Sequence, residues 1–141
     1  MKLIYALLIL LFSSHTATAF TYKSCDNYEG RKKVACHYLN SKTQPEYIPA
    51  QALLGLIELG EEHQYAGFTQ YLDGLAQGIQ IANVYLKEEK KQPIYCAPSN
   101  FKPSEQAFAI IEKQIMLDPD SQDDMAQSVL LIGLWEQHKC N

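Results

Sequence analysis

The chain has 141 residues, enough for one small domain, and 47% of them are hydrophobic, which excludes an intrinsically disordered protein. It carries 12 Lys and Arg against 16 Asp and Glu, and no stretch is dominated by basic residues. This balance argues against nucleic acid and against an anionic membrane surface as partners, because both attract positively charged proteins.

The first 19 residues have the three parts of a secretory signal peptide. Lys2 supplies the positive start, an apolar run follows from Leu3 to Phe12, and residues 17–19 form an A-x-A cleavage site. The apolar run is shorter than the roughly 20 residues that a membrane-spanning helix needs. We therefore expect export, cleavage after Ala19 and a mature chain of residues 20–141 that is free of the membrane. An oxidising compartment, most simply a bacterial periplasm, is the expected location.

Four cysteines lie in the mature part of the chain: Cys25, Cys36, Cys96 and Cys140. An even number in an exported domain indicates two disulfides, with three connectivities open. We predict Cys25–Cys36, which closes a short loop, and Cys96–Cys140, which ties the end of the chain to its middle. The two bonds should contribute about 3 and about 4 kcal/mol in a loop-entropy estimate. No C-x-x-C or paired histidine spacing occurs, so we expect no metal, no cofactor and no thiol redox chemistry.

Apolar residues recur at helical spacing over most of the mature chain. Helices are predicted over residues 28–39, 50–62, 67–90, 104–117 and 119–138, with Pro93 stopping the third. Asp118 should cap the last helix with its carboxylate, and Pro119 suits a first helical position. No strand pair is evident. The sequence thus predicts a single all-α domain, residues 20–141, built as a small disulfide-stapled bundle of four to five helices.

The same spacing predicts which side chains face the core. In the third helix these are Phe68, Tyr71, Leu72, Leu75, Ile79, Ala82, Tyr85 and Leu86. In the fourth they are Ala107, Phe108, Ile111, Ile115 and Met116. The first helix carries Val34, Tyr38 and Leu39 on one side, and the apolar positions of the last include Met125, Val129, Ile132 and Trp135.

Gly74 and Gly78 form a G-x-x-x-G spacing inside the long third helix. Each glycine costs about 1 kcal/mol in helix propensity relative to alanine, so something should offset that cost. Close approach of a neighbouring helix, within the bundle or across a homodimer, would do so. We expect the neighbour to belong to the bundle.

Enzyme signatures such as G-x-S-x-G, H-E-x-x-H and a phosphate-binding glycine loop do not occur, so we expect a non-enzymatic binding protein. The acidic run over 118–124 lacks the glycine and the final glutamate of a calcium loop.

Two segments are predicted to contact a protein partner. Their residues are Pro98, Ser99, Asn100, Phe101 and Lys102 in one loop, and Asp120, Asp123 and Asp124 in the acidic run. The alternative for Phe101 is that it plugs the end of the bundle beside the disulfide.

One ordered set of motifs resembles the Rap/Tai immunity-protein family. It comprises Phe68-x-x-Tyr71-Leu72-x-Gly74-x-x-x-Gly78-Ile79, then Tyr95-Cys96-x-Pro98, then Gln106 opening a helix, then Leu117-Asp118-Pro119, and finally Cys140. The resemblance covers residues 65–141. It implies a small exported helical protein that binds and inhibits a type VI secretion cell-wall amidase, and it implies a Cys96–Cys140 disulfide. The chain departs from the family at Asp118, where His is frequent, and at Lys139, where Pro is common.

Two functions of different classes follow. The first is a periplasmic immunity protein that blocks one secreted peptidoglycan amidase or similar hydrolase. The second is a structural or acid-stress chaperone-like periplasmic protein with many clients and no single cognate toxin, which would expose apolar surface when carboxylates become protonated.

Overall fold

A computed structural model describes residues 24–41, 46–62 and 66–140. In these ranges the chain forms five α-helices and one 3₁₀-helix, which confirms the all-α prediction. The elements are α1 (Gly30–Asn40), α2 (Ala50–Glu62), α3 (Gly67–Glu88), α4 (Pro103–Leu117), the 3₁₀-helix (Pro119–Asp123) and α5 (Ala126–Gln137). None of the helices in this part of the chain is long and apolar enough to cross a membrane. The predicted signal peptide, residues 1–19, lies outside the described residues.

Helix α2 lies at the centre of the bundle. Its bounds are those predicted, and nine of its 13 residues are buried. Leu53, Leu54 and Ile57 join the main core with residues of α3, α4 and α5. Leu56 and Leu59 form a second cluster with Ala35 of α1. So broad an apolar surface on one helix needs more than one neighbour to cover it, and α2 therefore joins the N-terminal part of the chain to the rest.

Two glycines allow helices to approach closely within the bundle. A Cβ added at Gly55 of α2 would overlap the carbonyl group of Arg31 and lie 2.9 Å from the Cβ of Ala35, both on α1. A Cβ added at Gly133 of α5 would lie 2.7 Å from Cγ2 of Ile110 on α4. These two positions make the close helix contacts that the sequence analysis assigned to Gly74 and Gly78.

Helix α3 ends earlier than predicted. Lys90 has a φ of +54°, and the backbone N–H of Lys91 donates to the carbonyl of Leu86 at 2.8 Å, which closes the helix end before Pro93 is reached.

The last predicted helix is interrupted. The segment after Asp118 is a 3₁₀-helix, and α5 begins only at Ala126. Asp118 makes no side-chain cap. Its backbone carbonyl instead accepts a hydrogen bond from the Ser121 hydroxyl at 2.6 Å. Backbone bonds from Ala50 to Asp124 at 2.8 Å and from Ala126 to Ile48 at 3.0 Å then hold the starts of α2 and α5 together. These long-range bonds explain why the helix restarts seven residues late.

Both predicted disulfides are confirmed. Cys25 pairs with Cys36 across 11 residues and Cys96 with Cys140 across 44 residues. The first fixes the turn that precedes α1, and the second fixes the residues after α5 to the loop between α3 and α4.

A charged cluster attaches α1 to two other helices. Nε of Arg31 donates to Glu58 of α2 at 2.6 Å, and one terminal nitrogen donates to Glu112 of α4 at 2.8 Å. The guanidinium also lies 5.1 Å from the ring centroid of Phe108. The hydrogen bond to Glu58 is the main cause that raises the pKa of Arg31. Arg31 stays protonated at all ordinary pH values, so it remains a positively charged donor to both carboxylates of the cluster.

Candidate protein-binding surfaces

Helix α3 has two apolar faces, and the bundle covers only one of them. The inner face buries Leu72 and Ala76 in the main core. The other carries Tyr71, Gly74, Gly78, Ile81 and Tyr85, which we name the outer face of α3. Its three large side chains are 40%, 70% and 56% exposed, in chain order. The predicted burial of Tyr71, Ala82 and Tyr85 is therefore wrong.

The two glycines of the outer face have no neighbour among the described residues of the bundle. A Cβ added at Gly74 or at Gly78 would meet no described atom within 4 Å. The expectation that another helix of the bundle approaches there is wrong. Beside the glycines, a shallow groove of about 420 Å³ is bordered by Ile81, Val84 and Tyr85. An open, largely apolar helix face of this kind is typical of a contact surface.

The inner face of α3 positions the loop that leads to the second disulfide. Asn83 is buried, and its Oδ1 accepts hydrogen bonds from the backbone N–H groups of Ile94 at 2.6 Å and Tyr95 at 3.1 Å. Its Nδ2 donates to the carbonyl of Tyr95 at 3.0 Å. One amide side chain therefore fixes residues 94–95, and Cys96 follows at once. Burial raises the pKa of the Tyr95 hydroxyl.

A second exposed apolar surface lies at the disulfide end of the bundle. A groove of about 390 Å³ is lined by one loop segment and one side of α5. Its apolar residues, which we name the disulfide-end surface, are Pro93, Ile94, Leu131, Ile132 and Trp135.

The disulfide-end surface exists because α5 is apolar on all sides. Val129, Leu130 and Leu134 of this helix fill the core, so Leu131, Ile132 and Trp135 must face outward. Trp135 is 49% exposed. Met125 and Ile132, which the sequence pattern also includes among the apolar positions of this helix, are exposed as well. Met116 of α4 was predicted to face the core, and that prediction is wrong, since it is 78% exposed.

Charged groups border the tryptophan. The ammonium of Lys139 lies 5.0 Å from the Trp135 ring centroid, and it pairs with Glu136 at 3.1 Å. A backbone bond from Cys96 to the carbonyl of His138, 2.7 Å long, joins the loop to the end of α5. An exposed tryptophan with a polar border and a disulfide-fixed backbone has the composition of a binding hot spot.

The predicted contact loop lies at the same end of the molecule. Pro98, Ser99 and Asn100 are exposed. Phe101 is half-buried, with its ring centroid 4.3 Å from that of His138 and 6.1 Å from that of Tyr95. It thus closes the end of the bundle, as the alternative interpretation stated. Lys102 is exposed and pairs with Glu105 at 2.6 Å.

The predicted acidic contacts lie elsewhere. Asp120, Asp123 and Asp124 are exposed in or just after the 3₁₀-helix, which follows the C-terminal end of α4. The loop that contains Phe101 precedes the N-terminal end of α4. The 15 residues of α4 span about 22 Å, so the structure does not bring the two predicted segments together into one patch. The disulfide-end surface was missed because its residues come from two segments about 40 positions apart.

Within residues 24–41, 46–62 and 66–140, no group of three or more His, Cys, Asp or Glu side chains is arranged to hold a metal ion.

Comparison with known proteins gives no relatives: no protein-family profile, no curated protein and no solved structure matches the chain.

Proposed function

We propose that the protein is a periplasmic immunity protein that binds and inhibits a cell-wall amidase through its disulfide-end surface. The observation that carries the binding role is the cluster of exposed Leu131, Ile132 and Trp135 beside half-buried Ile94, which the Cys96–Cys140 disulfide holds in place. The amidase as target class rests on the resemblance of residues 65–141 to the Rap/Tai family. Export rests on the signal-peptide pattern and agrees with two disulfides and with the described helices, none of which could span a membrane.

The rigidity of the surface favours a single tight partner. Its loop side is fixed by three hydrogen bonds to the Asn83 side chain, which accepts two and donates one, and its helix side is fixed by the packing of α5. A preorganised surface loses little conformational entropy on binding, so more of the contact energy appears as affinity. Pro98, Ser99 and Asn100 would then form part of the rim, with Lys139 and Glu136.

The test is inhibition of purified peptidoglycan amidases by residues 20–141 with both disulfides formed. Candidate enzymes come from proteins retained on the immobilised chain from lysate of the source cells and close relatives. The proposal predicts that one of them is a hydrolase whose activity falls to zero at a 1:1 ratio. If every captured hydrolase keeps its activity at a tenfold excess of the chain, the inhibitor role is wrong.

Substitution of Trp135 locates the interface. Trp135→Ala removes an exposed side chain and should leave the fold intact, while affinity for the amidase falls by more than about 2 kcal/mol, or roughly 30-fold. Met116→Ala is the matched control, because Met116 is a more exposed apolar side chain on another helix. Equal affinity of Trp135→Ala and wild type would place the interface elsewhere.

A chaperone-like role is the second candidate, and the number of exposed apolar side chains favours it. Besides the two named surfaces, Met116 and Leu117 are 78% and 67% exposed. A protein with this role would prevent aggregation of many unrelated clients. It should also bind a hydrophobic dye more strongly as the pH falls toward 2, whereas flat dye binding over that range would contradict the role.

A further inference from the structure

We propose that the outer face of α3 binds the same face of a second copy of this chain, so that the protein forms an antiparallel, two-fold symmetric dimer. This inference uses a different surface from the proposed amidase contact and does not depend on that function.

The spacing of the outer face is that of a helix–helix seam. Tyr71, Gly74, Gly78, Ile81 and Tyr85 follow one another at intervals of three, four, three and four residues. This is the a/d pattern along which two helices pack side by side. The seam spans about 21 Å of an exposed helix, at a rise of 1.5 Å per residue. Among the described residues, the bundle leaves the two glycines of the seam uncovered and Ile81 and Tyr85 mostly exposed, since the buried residues of α3 lie on the inner face.

The sizes of the side chains are complementary only in the antiparallel arrangement. A register that sets Gly74 opposite Tyr85 of the second copy also sets Gly78 opposite Ile81. The reason is that both pairs are centred on the same point of α3, between residues 79 and 80. Tyr85 and Ile81 of each copy then pack over Gly74 and Gly78 of the other copy. The two-fold axis makes each of these contacts occur twice. A parallel dimer would instead place Ile81 against Ile81 and Tyr85 against Tyr85, leaving the glycines opposite one another.

The charges on α3 allow this contact. Between residues 67 and 86 the sole charged residue is Asp73, which lies off the seam and is half-buried. Glu88 lies at the end of the groove, and in this register it faces Tyr71 of the second copy rather than another carboxylate. Gln70 and Gln77 border the seam and can form hydrogen bonds across it. Antiparallel helices also bring opposite ends of their dipoles together.

The available area fits a dimer of modest affinity. With roughly 150–250 Å² for an aromatic side chain, the exposed parts of Tyr71, Ile81, Val84 and Tyr85 amount to about 400 Å². This is about half of the ~800 Å² that each partner buries in a standard interface, and the bordering glutamines and helix backbone add to it. We therefore expect weak association, with a dissociation constant on the order of 100 µM.

Sedimentation velocity of the full mature chain, from about 1 µM to about 1 mM, tests the proposal. Wild type should shift from monomer to dimer within this range. Ile81→Lys should weaken association at least tenfold, because it places two ammonium groups in the seam. Ile132→Lys is the matched control, since it makes the same change on an exposed isoleucine of α5, and it should associate like wild type.

Gly78→Leu distinguishes a specific seam from a merely apolar patch. The added side chain meets no described atom of its own bundle, so the fold should persist, as circular dichroism would show. Association should weaken at least tenfold even though the surface becomes more apolar, because the leucine fills the space that Ile81 of the second copy needs.

A photoreactive benzoylphenylalanine in place of Glu88 tests the orientation. The antiparallel register places residue 88 opposite Tyr71, so the crosslink should map to the first turns of α3, whereas a crosslink from 88 to 88 would overturn the antiparallel dimer. A chain that stays monomeric at about 1 mM, or a dimer that tolerates Ile81→Lys and Gly78→Leu, would overturn the proposal altogether.

Discussion

Gly55 and Gly133 differ from Gly74 and Gly78 in whether another helix packs against them. All four are helical glycines in apolar surroundings. At the first pair another helix occupies the position of the missing side chain, and at the second pair no described atom lies within 4 Å. The comparison shows that a glycine spacing indicates a place where something can approach closely, but not whether the approaching element belongs to the same molecule.

The two pairs should respond to substitution with opposite sign. A glycine inside a helix costs about 1 kcal/mol relative to alanine, and replacing it recovers that amount wherever the new methyl group has room. Where the methyl group overlaps a neighbour, the cost of overpacking exceeds the recovered amount. Three predictions test this contrast, and each is measured by urea unfolding at about 1 µM, where we expect the protein to be monomeric.

Gly55→Ala should have the largest effect. The new Cβ overlaps the backbone carbonyl of Arg31, and backbone cannot rotate away as a side chain can. Separating α1 from α2 would also disturb the hydrogen bond between Arg31 and Glu58. We expect a loss of about 3 kcal/mol in the free energy of unfolding. An unchanged unfolding midpoint would show that α1 and α2 are not in close contact.

Gly133→Ala should cost less, about 1 kcal/mol. The nearest atom is Cγ2 of Ile110, which is a side-chain methyl group and not a backbone atom as at Gly55. The double variant Gly133→Ala/Ile110→Leu removes this methyl group, because leucine is not branched at Cβ, and should recover some of the loss. No recovery would mean that the backbone of α4, rather than the Ile110 side chain, resists the substitution.

The combined variant Gly74→Ala/Gly78→Ala should raise stability, by up to about 1 kcal/mol for each site, because both methyl groups enter open space. The same variant should weaken self-association at higher concentration. A loss of stability at about 1 µM would contradict an open outer face.

Much of the fold could be predicted from the sequence because local signals determine it. The bounds of α2 follow from one dense apolar run, and both disulfide pairings were chosen from the three connectivities that four cysteines allow. Helix periodicity also located α3 and α4. The helix bounds depend on residues that are close together in the chain. The disulfide pairing could be predicted because four cysteines allow only three connectivities.

The faces of α3 and α5 could not be predicted, because each helix carries more apolar residues than the core can cover. Periodicity identifies an apolar stripe but cannot choose between two of them, so Tyr71 and Tyr85 were placed inside and Trp135 was not recognised as a surface residue. The cluster around Arg31 was also missed, since its partners Glu58 and Glu112 are 27 and 81 residues away.

The measurement that tests the outer face most directly is hydroxyl-radical footprinting of two tyrosines over a range of protein concentration. Tyr85 and Tyr95 have the same intrinsic reactivity but are 56% and 4% exposed. The account predicts rapid oxidation of Tyr85 and slow oxidation of Tyr95 at about 1 µM, with Tyr85 becoming protected toward 1 mM while Trp135 stays reactive. Equal protection of both tyrosines at the lowest concentration, or no concentration dependence at Tyr85, would contradict it.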